Sequence, residues 1–133
     1  MTQRLPHAIL TVAILTTALL ASTGARAAAD PAHACFFSNS WQGWSASADG
    51  DALYLRVNLH DIYRVDLIPG SHVRKDSDRF LVSKVRGSNS ICSPLDLDLT
   101  LSDHHGFREP LFPRSLRKLT PTEIAAIPRK NLP

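Results

Sequence analysis

The sequence predicts an all-β fold, a mainly antiparallel sheet or a small barrel or sandwich, with one short C-terminal helix. Three observations indicate this fold. Apolar and polar residues alternate in three segments, turn-forming pairs separate the segments, and a helix-capping pattern follows them near the C-terminus. Side chains on a strand point to opposite faces in turn, so alternation at every second residue is typical of strands.

Three alternating segments predict the main strands and most of the core. They run from Leu53 to Leu59, from Tyr63 to Leu67 and from Leu95 to Leu101, with their apolar residues at odd positions. We expect the odd positions to be buried and the even positions to face solvent. A short, poorly regular strand is also predicted within Phe80–Val85, in a more polar surrounding.

Aromatic residues follow the first cysteine closely in the sequence. Phe36 and Trp44 are expected to lie in the core of the small sheet, as aromatic residues near a disulfide commonly do. For Trp41 the sequence leaves two interpretations open, a core position or an exposed platform for a partner or a carbohydrate.

Turn-forming residues separate the predicted strands. Asp49-Gly50 precedes the first strand and is a strong hairpin signal, while Pro69-Gly70 ends the second strand. The stretch Asp103-His104-His105-Gly106 follows the third strand and predicts another turn.

The residues between the first two strands predict a tight hairpin. An odd number of loop residues keeps the apolar positions of both strands on one face. With His60, Asp61 and Ile62 in the loop, Arg56 lies opposite Asp66. Opposite charges across a strand pair are favourable by a few tenths to about 1 kcal/mol. His60 and Asp61 are therefore predicted to be turn residues first, and site residues only on further evidence.

The helix is predicted from a capping pattern after the last apolar segments. Thr120 can cap the helix, Pro121 suits its first position, and Glu123 completes a capping box. About two turns are too short to be stable alone. We therefore expect Ile124 and Ile127 to pack the helix against the sheet.

Residues 1–27 are predicted to be a signal peptide. Arg4 gives a positive start, Ala8–Leu20 has no charge, and Ala25-Arg26-Ala27 has the small-x-small pattern of a cleavage site. The apolar run is shorter than the roughly 20 residues of a membrane-spanning helix, although a membrane anchor is the rival interpretation. Residues 28–133 are then expected to be one small β domain, periplasmic or secreted, with no transmembrane anchor after cleavage.

Composition limits the function of this domain. Residues 28–133 carry thirteen basic and twelve acidic residues, and a net charge of +1 gives no support for nucleic-acid binding. In an exported domain, Cys35 and Cys92 predict one disulfide bond, with two free thiols as the alternative. No nucleophile elbow, phosphate loop or zinc-binding helix motif occurs, so no catalytic residue and no cofactor is expected.

Acidic and imidazole side chains near two predicted turns form a candidate polar rim. Its members are His60, Asp61, Asp103, His104 and His105. Such groups can bind zinc or other divalent ions, but their spacing matches no closed metal motif. Asp96 and Asp98, predicted to share one strand face, lack the facing arrangement of a glycosidase. A metal-binding protein or a small hydrolase is therefore the alternative interpretation.

The C-terminal part of the chain is basic. From Gly106 onward, six basic residues stand against two acidic ones, whereas residues 28–105 carry a net charge of −3. Arg114, Arg117 and Lys118 are candidate contacts for weak binding to an anionic surface such as phospholipid headgroups or lipopolysaccharide. The competing interpretation is a solvated helix and tail.

The stretches CFFSNSWQGWSASADGDALYLRVNLHDIYRVDL, SNSICSPLDLDLTL and RKLTPTEIAAI resemble a family of small exported Gram-negative bacterial proteins, domain of unknown function 6491. The resemblance covers nearly the whole of residues 35–127. It implies further cysteines near Gly70 and near Pro110–Pro113, which this chain lacks, as if a second bridge were absent as a unit. It implies no activity and supports location and architecture only. The favoured role is a non-catalytic binding or structural module of the cell envelope, with an unknown envelope partner.

Overall fold

A computed structural model describes residues 35–76 and 78–133. The predicted signal peptide lies outside the described residues. The strands are β1 (Phe36–Phe37), β2 (Trp41–Ala46), β3 (Ala52–Val57), β4 (Asp61–Leu67), β5 (Arg79–Val85), β6 (Ser90–Ile91), β7 (Leu97–Asp103), β8 (Arg108–Leu111) and β9 (Pro113–Lys118). A single α-helix in this part of the chain, α1, spans Pro121–Ala126, and short 3-10 turns occupy Ser38–Ser40, Pro94–Asp96 and Arg129–Asn131.

The strands form three antiparallel sheets, which confirms the predicted all-β class. The first sheet has the order β2-β3-β4-β9, the second sheet has the order β5-β7-β8, and β1 pairs with β6 in a small third sheet. The chain passes from β8 to β9, and so from the second sheet to the first, at Phe112. The Phe112 carbonyl there accepts a hydrogen bond from the Ile68 amide at 3.0 Å.

One hydrophobic core joins the sheets, and the odd positions of the alternating segments supply most of it. From β3 and β4 it takes Leu53, Leu55, Val57, Tyr63, Val65 and Leu67; from β7 and β8 it takes Leu97, Leu99, Leu101 and Leu111. Phe36 is buried, as predicted, and its ring packs against that of Tyr63 with 4.6 Å between centroids. Trp41 and Trp44 are partly buried and both pack against the core.

The even positions of β3 and β4 are not all exposed, contrary to the prediction. Tyr54 and Ile62, on the face of the first sheet away from the core, are 8% and 5% exposed. They form a second apolar cluster with Leu119 and Ile127. The predicted contact of the helix region with the sheet through Ile124 and Ile127 is confirmed by this cluster, and this contact removes the even positions from solvent.

The β3–β4 hairpin has the predicted odd loop but a different register. The loop is Asn58–His60, and β4 already begins at Asp61, so the prediction that Asp61 and Ile62 are loop residues is wrong. Arg56 lies opposite Ile62 rather than Asp66. This register buries Ile62, and Asn58 adopts a φ of 54°, which asparagine tolerates better than most residues.

Two further details of the predicted strands are corrected. Leu95, expected to be inward, is 80% exposed because it lies in the 3-10 turn before β7. Asp96 lies in the same turn, where its carboxylate accepts hydrogen bonds from the Cys92 and Ser93 amides, so it does not share a strand face with Asp98. The strand predicted within Phe80–Val85 is a regular seven-residue strand, each residue paired with β7.

The β2–β3 turn, the start of the helix and the disulfide bond agree with the predictions from the sequence. Gly50 has a φ of 79°, and a Cβ atom there would lie 2.8 Å from the Val73 carbonyl oxygen, so this position of the β2–β3 turn requires glycine. Thr120 and Glu123 form the predicted capping box of α1. Cys35 and Cys92 are joined by a disulfide bond next to the β1–β6 pair, with their Cα atoms 4.2 Å apart.

The outer edge of β2 is covered by side chains. The Trp44 carbonyl accepts a hydrogen bond from Lys75 Nζ at 2.7 Å, and the Ala46 carbonyl accepts one from Asn131 Nδ2 at 2.9 Å. In an antiparallel strand, alternate residues direct their backbone groups away from the paired neighbour. Two outward carbonyls of this edge strand are therefore satisfied without another strand.

Candidate functional site

The outer face of the first sheet carries charged groups that satisfy one another. Arg64 Nε lies 2.6 Å from Asp66 Oδ1, and a second nitrogen of Arg64 lies 3.6 Å from Asp51. Ser115 Oγ donates a hydrogen bond to the other oxygen of Asp66. Burial alone would raise the pKa of Asp66, but the hydrogen bonds from Ser115 and Arg64, with the charge of Arg64, lower it overall.

The predicted basic contacts lie on β9 and are largely used within the protein. Arg117 contacts Glu123 at 2.7 Å, and Lys118 contacts Asp61 at 2.8 Å, while Arg114 is exposed. The interpretation of this region as a solvated helix and tail is incomplete, because β8 and β9 precede α1 and carry four of the six basic residues. Ion pairing leaves Arg117 and Lys118 less available to an anionic surface than the charge balance suggested.

Glu123 links this strand to the helix. Hydrogen bonds from the Thr120 backbone amide, the Arg117 guanidinium and the Thr120 hydroxyl lower the pKa of Glu123 to about 2. Glu123 is therefore ionised at neutral pH.

The polar rim residues lie on two separate hairpins. His60 and Asp61 stand at the β3–β4 turn of the first sheet, while Asp103, His104 and His105 lie at the β7–β8 turn of the second. The carboxylate of Asp61 is engaged by Lys118. Among residues 35–76 and 78–133, no three His, Cys, Asp or Glu side chains group so as to hold a metal ion.

Asp103 organises the β7–β8 turn. Its Oδ1 atom accepts hydrogen bonds from the Phe107 and His105 amides, both at 2.8 Å, and these bonds lower the pKa of Asp103. The side chain of His104 instead packs its ring against Phe80, with 5.1 Å between ring centroids. The turn thus places His104 at the margin of the second sheet's outer face.

That outer face carries a cavity of about 490 Å³, hereafter the second-sheet groove. The groove is lined by Phe80, Val82, Lys84, Thr100, Ser102, Asp103, His104, Gly106 and Arg108. Strand register explains this set, since Phe80 pairs with Ser102 and Ser102 pairs with Arg108 in one row across three strands. Val82 and Thr100 form the next row.

Two cations stand at opposite corners of the second-sheet groove. Lys84 lies on β5 opposite Asp98, and Arg108 lies on β8 opposite Ser102. Asp98 is engaged by Arg86 at 3.3 Å, and among the described residues neither Lys84 nor Arg108 has a carboxylate within 4.0 Å. The groove therefore combines an aromatic edge and a hydroxyl-bearing floor with positive charge that has no internal partner.

A second cavity, the basic pocket, has a volume of about 400 Å³ and lies beside β2. Arg74, Lys75 and Lys130 line it together with the buried residues Ser45 and Ser47. Sequence reasoning missed both cavities because their residues come from distant parts of the chain. Only the register of β7 could have indicated the groove, and no local signal joins Lys130 to Arg74.

The fold and the two cavities define a small disulfide-bridged antiparallel β protein with two open cavities on its surface. No protein-family model, curated protein or solved structure gives a significant match to the chain. Within the described residues, no helix has the length and apolar character needed to cross a membrane.

Proposed function

We propose that this protein is an exported, non-catalytic binding module of the bacterial cell envelope, and that the second-sheet groove is its ligand site. The observation that carries the proposal is the uncovered groove itself, with the unpaired cations Lys84 and Arg108 and the aromatic pair Phe80–His104. A volume of about 490 Å³ falls within the range of ligand sites, roughly 300–1,000 Å³.

The groove favours an acidic saccharide as its ligand. Thr100 and Ser102 put hydroxyl groups on the floor, and an alkyl chain laid over them would bury these groups without partners, whereas sugar hydroxyls would pair with them. Phe80 offers a ring for the apolar face of a sugar. Lys84 and Arg108 lie two strands apart and about four residues offset, hence about 16 Å apart at their Cα atoms by strand geometry. This separation suits a ligand with several spaced negative charges.

Titration of the purified protein with trigalacturonic acid tests the proposal. Changes in amide chemical shifts are expected to be saturable and confined to β5, β7, β8 and the turn at His104. The trimethyl ester of the same sugar, which is uncharged, is expected to bind at least about tenfold more weakly because two charge-assisted contacts are lost.

Variants assign the binding to the groove. The double variant Lys84→Gln with Arg108→Gln should weaken binding about tenfold or more, and Phe80→Ala should also weaken it. Arg114→Gln removes an exposed cation on β9, outside the groove, and is the matched control with unchanged binding. Shifts outside the second sheet, or equal affinity in the double variant, would show that the groove is not the site.

A further inference from the structure

The basic pocket has a rigid scaffold built from three segments. The Val73 amide donates a hydrogen bond to the Gly50 carbonyl at 2.8 Å, which holds the segment 72–76 against the β2–β3 turn. Asn131 is held to the edge of β2 through hydrogen bonds with Ser45 and Ala46. The backbone next to Arg74 and next to Lys130 is therefore held in place by hydrogen bonds within the protein.

Positive charge dominates the lining of this pocket. Arg74 and Lys130 are exposed, and among the described residues neither makes an ion pair or a side-chain hydrogen bond. Lys75 Nζ donates a hydrogen bond to the Trp44 carbonyl and lies 5.5 Å from the centroid of the Trp44 ring. These contacts hold the positive charge of Lys75 beside the cavity.

The acidic groups near the pocket are already engaged. Asp76 lines the cavity but contacts Arg79 at 3.7 Å. On the adjoining turn, Asp51 accepts a hydrogen bond from Ser47 Oγ and contacts Arg64. A hydrogen bond from Ser47 also lowers the pKa of the neighbouring Asp49 carboxyl. The lining thus presents three cations with one carboxylate that has a partner elsewhere.

We infer that the basic pocket binds a phosphate group, as a phosphate monoester or diester, at a site separate from the second-sheet groove. A guanidinium and two ammonium groups that line one polar cavity match the several acceptor oxygens and the charge of a phosphate. The pocket is a stronger candidate for an anion site than the cluster on β9, since Arg117 and Lys118 of that cluster are ion-paired.

Binding of inorganic phosphate and of glycerol 3-phosphate to the full protein tests the inference. At constant ionic strength, saturable amide shifts are expected at residues 73–76 and 129–131. The double variant Arg74→Gln with Lys130→Gln should lose binding by about tenfold or more because it removes two charged donors. Arg114→Gln and the groove variant Lys84→Gln are controls in which phosphate binding is unchanged.

A folding check and a vesicle experiment complete the design. The double variant is expected to keep the melting temperature of the parent, because neither side chain has an internal partner among the described residues. Vesicles of phosphatidylglycerol, compared with phosphatidylcholine, identify the source of the phosphate. Vesicle binding that the double variant loses assigns a lipid headgroup, and vesicle binding that is absent in the parent assigns a soluble phosphate ester.

Two results would overturn the inference. One is the absence of saturable binding of inorganic phosphate and glycerol 3-phosphate by the parent protein. The other is binding that the double variant retains at parental affinity. Because the saccharide site is tested separately with trigalacturonic acid, failure at the basic pocket remains distinguishable from failure of the proposed saccharide site.

Discussion

The outer faces of the two sheets come from the same alternation of apolar and polar residues, but one face is covered by other parts of the chain and the other is exposed. On the first sheet, α1 and the residues flanking it cover Tyr54 and Ile62, and Arg64 pairs with Asp66. On the second sheet, Phe80 is 39% exposed, and Lys84 has no ionic partner within the described chain. Strand alternation alone therefore does not decide which even positions meet solvent; the element laid over the sheet does.

The covered outer face of the first sheet therefore contributes to stability, whereas the open outer face of the second sheet is available for contact with other molecules. The covered face adds an apolar cluster and a satisfied charge network to the main core. The open face contributes little burial and keeps its cations free. Matched substitutions on the two faces can test this division directly, because each face carries an aromatic residue and a carboxylate paired with an arginine.

The largest difference is expected for the aromatic residues. Tyr54→Ala should lower the free energy of unfolding by about 3 kcal/mol, as truncation of a buried aromatic side chain leaves a cavity. Phe80→Ala should lower it by only about 1 kcal/mol, because Phe80 is partly exposed already. Denaturant titration of both variants measures the two values, and equal losses would contradict the assignment of a covered and an open face.

A smaller difference is expected for the paired carboxylates. Asp66→Asn should cost about 2 kcal/mol, because Arg64 and Ser115 lose a charged acceptor in a partly buried network. Asp98→Asn should cost less than about 0.5 kcal/mol, since Asp98 and Arg86 form an exposed pair. Chemical denaturation again provides the measurement, and a loss for Asp98→Asn as large as that for Asp66→Asn would remove the distinction between the faces.

Acid should release the cover of the first sheet. The pKa of Glu123 is lowered from 4.5 to about 2 in the folded protein, and that of Asp66 is lowered too. A lowered pKa contributes stability that is complete above the unfolded value and is lost as the pH falls through the folded value. The melting temperature should therefore fall between pH 4.5 and about 2.

Glu123→Gln sharpens the acid experiment. The variant should melt at a lower temperature than the parent at pH 7 and should lose less on acidification, because position 123 no longer has a carboxylate to protonate. Asp98→Asn, on the open face, is the matched control and should leave the pH dependence of melting close to that of the parent. A Glu123→Gln profile that is parallel to the parental profile would be inconsistent with this account.

The smallest effect is expected for the unpaired cations. Lys84→Gln and Arg108→Gln should each change the free energy of unfolding by less than about 0.5 kcal/mol, because neither side chain contributes an internal ion pair in the described part of the chain. Stability should therefore be insensitive to the substitutions that are expected to weaken binding at the proposed ligand site. A marked loss of stability would indicate that these residues serve the fold.

Much of the fold could be predicted because its signals are local. Alternation of apolar and polar residues over short segments identified β3, β4 and β7. The capping box correctly placed the start of α1 at Pro121. β8 and β9 escaped prediction, since Pro110 and Pro113 interrupt both segments and charged residues obscure their alternation. Proline is tolerated on the edge strand of a sheet, which pairs on one side only. The local sequence pattern does not show that β8 and β9 are edge strands.

The register of the β3–β4 hairpin and the positions of the two surface cavities could not be predicted, because both depend on residues that are distant in the sequence. Ile62 is drawn into β4 by burial with Leu119 and Ile127, which lie far along the chain. Charge attraction between Arg56 and Asp66 favoured another register, and a few tenths of a kcal/mol cannot compete with burying an isoleucine. The same reasoning applies to the cavities, where β7 brings Phe80 and Arg108 to opposite sides of one row.

The side chains along the outer edge of β2 have a consequence for self-association. With the Trp44 and Ala46 carbonyls occupied by Lys75 and Asn131, another molecule cannot extend this sheet without displacing both contacts. Asn131, which lies in a short 3-10 turn, is therefore expected to oppose edge-to-edge aggregation of the protein.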